Sequence, residues 1–234
     1  MPQAATLPAP TPTLPPPTAP PFATVGELLR RLGDISPDRV RANPPPGTAT
    51  EADLLREENE KPICELIDGT LVEKAVGNAE SFLAATISGE IRIYLKVNRV
   101  GYLGGEAFLV RVTKTQCRAP DVAVTLWKAG EPRRVRRAAI ADTAPALVVE
   151  VLSPSNTKAE IARKLAEFFA AGTLVAWVVD STTGTAEIYA SATEKVAVPR
   201  DGVLTAEAVL PGFALPLAVV FEEGPDLDET GASS

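Results

Sequence analysis

Two carboxylates stand inside runs of residues that otherwise have the composition of buried β-strands. Asp121 opens the run 121–127 directly after Pro120, and Glu150 lies within the apolar run 146–152. Burying even a neutral polar group without a partner costs roughly 2–7 kcal/mol, so a carboxylate in such a run is usually paired, metal-bound or part of an active site. We interpret the two residues as candidates for a metal-dependent active site. A role as a simple strand-start residue is the competing interpretation for Asp121.

The chain contains no histidine and carries a net charge of −7. The missing histidine excludes Ser-His-Asp triads, Cys-His pairs, histidine general bases and most zinc sites. The negative charge argues against a protein that coats nucleic acid non-specifically, but it is compatible with an enzyme that has a local basic patch. The densest basic cluster consists of Arg133, Arg134, Arg136 and Arg137. A solvated loop is the competing interpretation of that cluster.

The composition changes along the chain divide it into four segments. Residues 1–21 contain nine prolines and no charged side chain, which predicts a disordered or polyproline-like arm. Residues 22–61 predict a short helical extension, and residues 62–221 have the apolar content of one folded core. Residues 222–234 form an acidic tail that we expect to be disordered.

The sequence contains no indication of a membrane segment or a disulfide framework. No run approaches the 18 consecutive apolar residues of a membrane-spanning helix, and the N-terminus lacks the regions of a secretory signal. Cys64 and Cys117 are the only cysteines, and we interpret them as reduced, small apolar residues. We therefore expect a cytoplasmic protein that does not bind membranes.

Hydrophobic periodicity predicts an α/β core with a βαβ unit in its second half. The predicted elements are a hairpin over 63–74, a helix over 80–97, strands over 121–127, 146–152 and 174–180, and a helix over 157–171. The dipeptide Asp68-Gly69 favours the tight turn of the hairpin. Thr157 and Glu160 have the spacing of a capping box, so Glu160 is expected to cap the last helix.

Antiparallel pairing of the two carboxylate-bearing strands would create one site. The start of 121–127 would then lie beside the end of 146–152, so that Asp121 and Glu150 converge at one end of the sheet. Hard cations such as Mg²⁺ prefer carboxylate and carbonyl oxygens together with retained waters. Two carboxylates and one strand carbonyl, for example that of Val151, would form half of such a shell.

Lys164 and Glu65 are the remaining candidates. Side chains on a helix lean towards its N-terminus, so Lys164 should reach back towards the loop 153–155, where it could position or activate water or neutralise charge on a phosphate. A surface pair with Glu160 at i,i+4, worth roughly 0.2–0.5 kcal/mol, is the competing interpretation. Glu65 has the strand parity of an inward-facing residue, although it could also lie at a hairpin edge.

Several short motifs, taken in order, resemble the PD-(D/E)XK nuclease superfamily and, more closely, the Uma2 family of restriction-endonuclease-like proteins. They are Glu-Leu-Ile-Asp-Gly at 65–69, Pro-Asp-Val-Ala at 120–123, Val-Val-Glu-Val-Leu-Ser-Pro-Ser at 148–155, Lys-Leu at 164–165, and an aromatic-Ala-Ala-Gly to Trp-Val-Val-Asp pattern over 169–180. The superfamily places its lysine two residues after the glutamate, where this chain has Leu152. The Uma2 pattern is similar in having a lysine in the following helix. Family members often carry a histidine near the start of the helix after the first hairpin, and residues 78–82 contain none.

The resemblance implies an α/β, restriction-endonuclease-like fold: a mixed β-sheet flanked by helices, with the Pro-rich arm and helical extension added. It also implies a Mg²⁺- or Mn²⁺-dependent endodeoxyribonuclease that hydrolyses phosphodiester bonds in DNA. Asp121 and Glu150 would bind the metal, Lys164 would assist the nucleophile and Glu65 would support the site. A homodimer is expected because nucleases that cut both strands often act as dimers. Two alternatives remain open: a catalytically lapsed binding or assembly protein, and a metal-dependent enzyme acting on another phosphate ester.

Overall fold

The protein is described by a computed structural model that covers residues 22–57, 62–75, 77–130, 132–135 and 137–222. The predicted Pro-rich arm, all but the first residue of the predicted acidic tail, and Arg136 lie outside the described residues. The helices are α1 (Val25–Leu32), α2 (Glu51–Glu57), α3 (Asn78–Asn98), α4 (Lys158–Ala171) and α5 (Leu217–Val220). The strands are β1 (Cys64–Ile67), β2 (Thr70–Glu73), β3 (Gly101–Gly104), β4 (Val110–Thr113), β5 (Gln116–Arg118), β6 (Val122–Leu126), β7 (Leu147–Leu152), β8 (Val175–Asp180), β9 (Thr185–Tyr189), β10 (Lys195–Val198), β11 (Val203–Thr205) and β12 (Ala214–Pro216).

A six-stranded mixed sheet forms the centre of the fold, in the order β10-β9-β8-β7-β6-β3. Only the β7–β8 pair within it is parallel, and α4 connects these two strands. This confirms the predicted βαβ unit. Strands β6 and β7 pair antiparallel, with Val122 opposite Val149, as the convergence of the two carboxylates requires.

A second sheet, which the sequence did not predict, lies beside the first and supplies Glu65. It is antiparallel, with the order β2-β1-β5-β4. The β1–β2 hairpin turns at Asp68 and Gly69, whose φ angles are +48° and +71°. Positive φ at both central residues is the requirement of the primed turn that the dipeptide predicts. The hairpin prediction is therefore confirmed, but its sheet partners come from elsewhere in the chain.

The two faces of the central sheet are covered by different helices. Ile87 and Ile91 of α3 belong to the cluster that contains Val122 and Val124 of β6, whereas Leu165 of α4 packs in a cluster on the opposite face. Because strand side chains alternate between faces, the odd-numbered residues of β6 share the α4 side. The described helices include none long and apolar enough to cross a membrane.

Helix α4 begins and ends as its sequence predicts, but one of its capping contacts differs. The Thr157 hydroxyl accepts a hydrogen bond from the Glu160 amide at 3.0 Å, and Gly172 closes the helix with a φ of +113°. The prediction that Glu160 caps the helix with its side chain is wrong. Its carboxylate instead accepts two bonds from Arg39, at 2.6 and 3.0 Å, and one from Asn156. A bidentate arginine pair in a buried position is stronger than a single exposed capping bond.

Candidate active site

The structure brings Asp121 and Glu150 to one end of the central sheet. The Asp121 amide donates to the Val149 carbonyl at 3.1 Å, which continues the β6–β7 ladder to the aspartate. One carboxylate oxygen of Asp121, Oδ2, accepts the amide of Val151 at 2.6 Å. Asp121 is therefore fixed by backbone contacts against the strand that carries Glu150, and both residues line one narrow cleft.

Glu150 is a buried carboxylate with one oxygen engaged. The residue is 4% exposed, and its Oε2 accepts a hydrogen bond from Nζ of Lys164 at 2.7 Å. The other oxygen, Oε1, is buried without a hydrogen-bond partner among the described residues. Burial raises the pKa of Glu150 to about 7; the charges of Asp121 and Glu65 add to this increase, and the lysines Lys164 and Lys74 oppose it without cancelling the effect of burial. This carboxyl is therefore about half protonated near neutral pH in the absence of a cation.

Lys164 reaches into the site from α4 and is 5% exposed. Its ammonium group lies 2.7 Å from Glu150 Oε2 and 3.1 Å from Glu65 Oε1. Burial opposes its charge, but the carboxylates of Glu150, Glu65 and Asp121 together raise the pKa of Lys164 above its ordinary value. Lys164 is therefore a fixed cation beside two carboxylates. These buried contacts differ from the competing interpretation, in which Lys164 would be only a surface partner of Glu160.

Glu65 faces inward from β1 and is held by three donors. Its Oε1 accepts the Ala119 amide at 2.9 Å as well as the Lys164 ammonium, and its Oε2 accepts Nη1 of Arg118 at 2.8 Å. Burial alone would raise its pKa, but Lys164, Arg118 and the Ala119 amide lower it to about 2. Glu65 thus remains ionised and holds both cations in place.

Two basic residues of this cluster were missed by sequence reasoning. The Lys74 ammonium lies 2.7 Å from Asp121 Oδ1. Arg118, 1% exposed, binds Glu65 and also Oε2 of Glu167 at 2.6 Å. The available signal was the one that identified Glu150: a charged side chain at a strand position beside apolar neighbours.

The cleft has the size and the donors for a small cation. It has a volume of about 10 Å³ and is lined on its outer side by Arg39, Asn156 and Glu160; a space of roughly 10–15 Å³ holds about one water molecule. The unpartnered oxygen of Glu150, next to a second carboxylate, fits a hard divalent cation. Each oxygen of Asp121 already has one partner, Lys74 at Oδ1 and the Val151 amide at Oδ2, so a cation that binds Asp121 competes with Lys74. No three Asp, Glu, His or Cys side chains in the described part of the chain form a metal-binding group by themselves.

The Arg-rich connection lies apart from this cleft. The described members of the cluster, Arg133, Arg134 and Arg137, are all exposed. None of them lines the cleft that contains Asp121 and Glu150. Their exposure agrees with a solvated segment, and their position relative to neighbouring aromatic residues is taken up below.

Comparison with known proteins relates the chain to nuclease-like proteins. The Uma2 family model, described as "Putative restriction endonuclease", matches residues 50–218. A crystal structure of a "putative nuclease belonging to DUF820" from Anabaena variabilis superposes with a TM-score of 0.63 at 19% identity, covering 74% of this chain and 97% of that chain. At this identity the likeness shows the fold alone. A search of curated proteins found no match.

Proposed function

This chain belongs to the Uma2 family, and we propose that it is a metal-dependent endodeoxyribonuclease that hydrolyses phosphodiester bonds in DNA. The observation that supports this most is the meeting of Asp121, Glu150 and Lys164 in one small cleft, with an unpartnered oxygen on Glu150. The segment before β6, strand β7 and helix α4 supply these side chains. A buried carboxylate and a buried lysine with shifted pKa values, next to a second carboxylate in a cleft, are typical of an active site.

In this proposal Asp121 and Glu150 hold the cation, Mg²⁺ or Mn²⁺. When bound, a cation of this kind polarises a phosphoryl oxygen and lowers the pKa of a coordinated water. The Val151 amide fixes the orientation of Asp121, so one ligand is positioned before the cation arrives. Glu150 must release its proton to bind, since its pKa is about 7 without the cation.

Lys164 would stabilise negative charge that develops on the phosphate. A fixed cation beside the reacting phosphate acts in the transition state without having to reorganise. Because its pKa is raised, Lys164 keeps its proton and cannot serve as the base that activates water. Of the roles that the sequence allowed, charge neutralisation and water positioning are therefore the ones we assign to it.

Glu65 is a positioning residue in this scheme. It contacts Lys164 and Arg118, and both of its oxygens already accept bonds, from three donors in all. Its loss should misplace Lys164 more than it changes cation binding. We therefore assign to Glu65 the role of positioning Lys164, which is how it would contribute to catalysis.

One observation favours the alternative of a lapsed, nuclease-like binding protein. Each metal-ligand candidate already has a lysine partner, Lys74 for Asp121 and Lys164 for Glu150. The cluster is therefore charge-compensated as it stands. A binding protein would keep this arrangement for stability alone.

We also propose that the protein is cytoplasmic and forms a homodimer. Cys64 and Cys117 are both buried, and the pKa of the Cys117 thiol is raised to about 12, chiefly by burial, so this residue is an unreactive thiol that suits a reducing compartment. Sedimentation of the full chain would test for the dimer.

Nicking of supercoiled plasmid in Mg²⁺ or Mn²⁺ tests the function. Wild type should nick, and Lys164→Ala should lose about a hundred- to a thousandfold in rate, the usual cost of removing one preorganised electrostatic contact. Lys158→Ala is the matched control, because Lys158 is an exposed lysine at the start of the same helix. Equal nicking by wild type and Lys164→Ala would exclude the assigned role. A wild type that nicks no DNA with any divalent metal would support the binding protein instead.

A further inference from the structure

We propose that a second surface, the aromatic-basic cleft at the far end of β6, binds a single-stranded part of the DNA by stacking a base on Trp127. Its principal residues are Tyr102, Thr125, Trp127, Lys128 and Arg134. This proposal rests on the proposed function, because it assigns a place where the nuclease would hold its substrate away from the cleavage site.

The aromatic side chains of the cleft form a stacking wall. The rings of Tyr102 and Trp127 are 4.9 Å apart with an interplanar angle of 37°, and Phe108 meets Tyr102 edge-on at 6.3 Å. Both Tyr102 and Trp127 are only partly buried, so ring surface is open to a ligand. The cleft volume of about 360 Å³ lies at the small end of the range for ligand pockets, roughly 300–1,000 Å³. Base–aromatic stacking is the usual way in which proteins bind unpaired nucleotides.

The charge around the cleft is opposite to that of the whole protein. The described residues lining it include two cations, Lys128 and Arg134, and no carboxylate. The same segment carries two further exposed arginines among the described residues, Arg133 and Arg137, in a chain of net charge −7. Clustered arginine and lysine beside aromatic rings is the combination that follows a nucleic-acid backbone while its bases stack.

Thr125 supplies a polar group inside the cleft. The residue is buried, and its hydroxyl has no hydrogen-bond partner within the described parts of the chain. A buried hydroxyl without a partner costs free energy. A base edge or a phosphate oxygen placed in the cleft would satisfy it.

The cleft shares a sheet face with the candidate active site. Asp121, Thr125 and Trp127 have the same parity along β6, so their side chains point to the same side. Asp121 and Trp127 are six positions apart, one at each end of the five-residue strand β6, which corresponds to about 20 Å, or about six nucleotide steps of a duplex strand. The loop after β3 connects the two places: Lys74 reaches the Glu106 carbonyl at 3.5 Å, and Phe108 contacts Tyr102.

The Pro-rich arm is the competing occupant, since polyproline segments also bind aromatic grooves. Residues 1–21 carry no charged side chain. Docking of the arm would leave Lys128 and Arg134 without a complementary partner. The charges therefore favour nucleic acid.

Binding of a fluorescent single-stranded oligothymidylate in the presence of chelator tests the proposal, because no cleavage occurs there. Trp127→Ala should weaken binding about fivefold to a hundredfold, whereas Trp127→Phe should retain most of the affinity. Lys128→Ala and Arg134→Ala should each reduce the slope of log affinity against log salt by about 0.7. Lys195→Ala, on the opposite edge strand β10, is the matched control and should bind as wild type does. Intrinsic fluorescence gives an independent signal: Trp177 is fully buried, so quenching that is lost in Trp127→Phe reports contact at Trp127.

The outcomes separate this proposal from the proposed function. Plasmid nicking by wild type together with equal oligonucleotide binding by wild type, Trp127→Ala and the Lys128/Arg134 double variant would overturn the cleft and leave the nuclease standing. Trp127-dependent binding without nicking in any metal would support the cleft and overturn the nuclease. Quenching by a peptide of residues 1–21, but not by the oligonucleotide, would overturn the cleft in favour of the arm.

Discussion

Replacement of Glu150 by glutamine should make the metal-free protein more stable relative to wild type as the pH rises. Glutamine keeps the shape of the side chain and an acceptor for Lys164 but cannot ionise. In wild type, burial and the neighbouring carboxylates raise the pKa of Glu150 from 4.5 to about 7. A carboxyl whose pKa is raised on folding contributes stability that is fully present below 4.5 and is lost as the pH rises through 7.

The size of the effect follows from that interval. At 1.36 kcal/mol for each pH unit, the gap between 4.5 and about 7 corresponds to about 3 kcal/mol, of which about 1 kcal/mol is already lost near pH 5. The stability of Glu150→Gln minus that of wild type should therefore increase by about 2 kcal/mol between about pH 5 and about pH 8. We expect the variant to be at least as stable as wild type at the higher pH.

Urea denaturation of both proteins at the two pH values, in chelator, measures this difference. Glu160→Gln is the matched control: burial opposes the charge of Glu160, but hydrogen bonds from Arg39 and Asn156 lower its pKa, so Glu160 stays ionised at both pH values, and its replacement should destabilise the protein by the same amount at each. A Glu150→Gln difference that does not change with pH would refute the reasoning. Glu150 would then be an ionised, structural partner of Lys164.

Two predictions concern the cation. Mn²⁺ or Mg²⁺ at a hundred times its dissociation constant should stabilise wild type by about 2.7 kcal/mol, which is roughly 5–10 °C in melting temperature for a domain of this size. Asp121→Asn should abolish that shift. Equal melting temperatures of wild type in metal and in chelator would exclude the site. Lys74→Ala should bind Mn²⁺ more tightly in calorimetry, because it frees Asp121 Oδ1 from its ion pair, and a weaker affinity would mean that Lys74 supports the site rather than competes for it.

The local elements and the Asp121–Glu150 pairing could be predicted because short-range rules determine them. Strand alternation, a turn dipeptide, and the glycine that ends α4 each involve only a few neighbouring residues. The antiparallel register of β6 and β7 then places the two carboxylates together with no further information. The elements themselves depend on periodicity, whereas the β6–β7 pairing, which joins Val122 to Val149, was the condition under which the sequence predicted that the two carboxylates meet.

The basic half of the site could not be predicted in the same way. Arg118 reaches Glu65 because β1 pairs with β5, at Leu66 opposite Cys117, across about fifty residues of sequence. No local pattern encodes that pairing. The prediction that Glu160 caps α4 failed for a related reason. Its capping-box spacing is local, but its actual partner, Arg39, lies 121 residues away.

The position of the lysine shows what the fold requires of this site. Leu152 occupies the place two residues after Glu150 where the resemblance leads one to expect lysine, and it is a partly buried member of the apolar cluster under α4. Residues 150 and 152 share a sheet face, which is the face that α4 covers, so a side chain from that helix can reach the same space. Lys164 does so, with its ammonium 2.7 Å from Glu150. A cation on this face of β7 is thus supplied from a different element, and it makes a second contact, with Glu65 at 3.1 Å. That second contact is why Glu65, whose two oxygens already accept bonds from three donors, should matter to catalysis through Lys164.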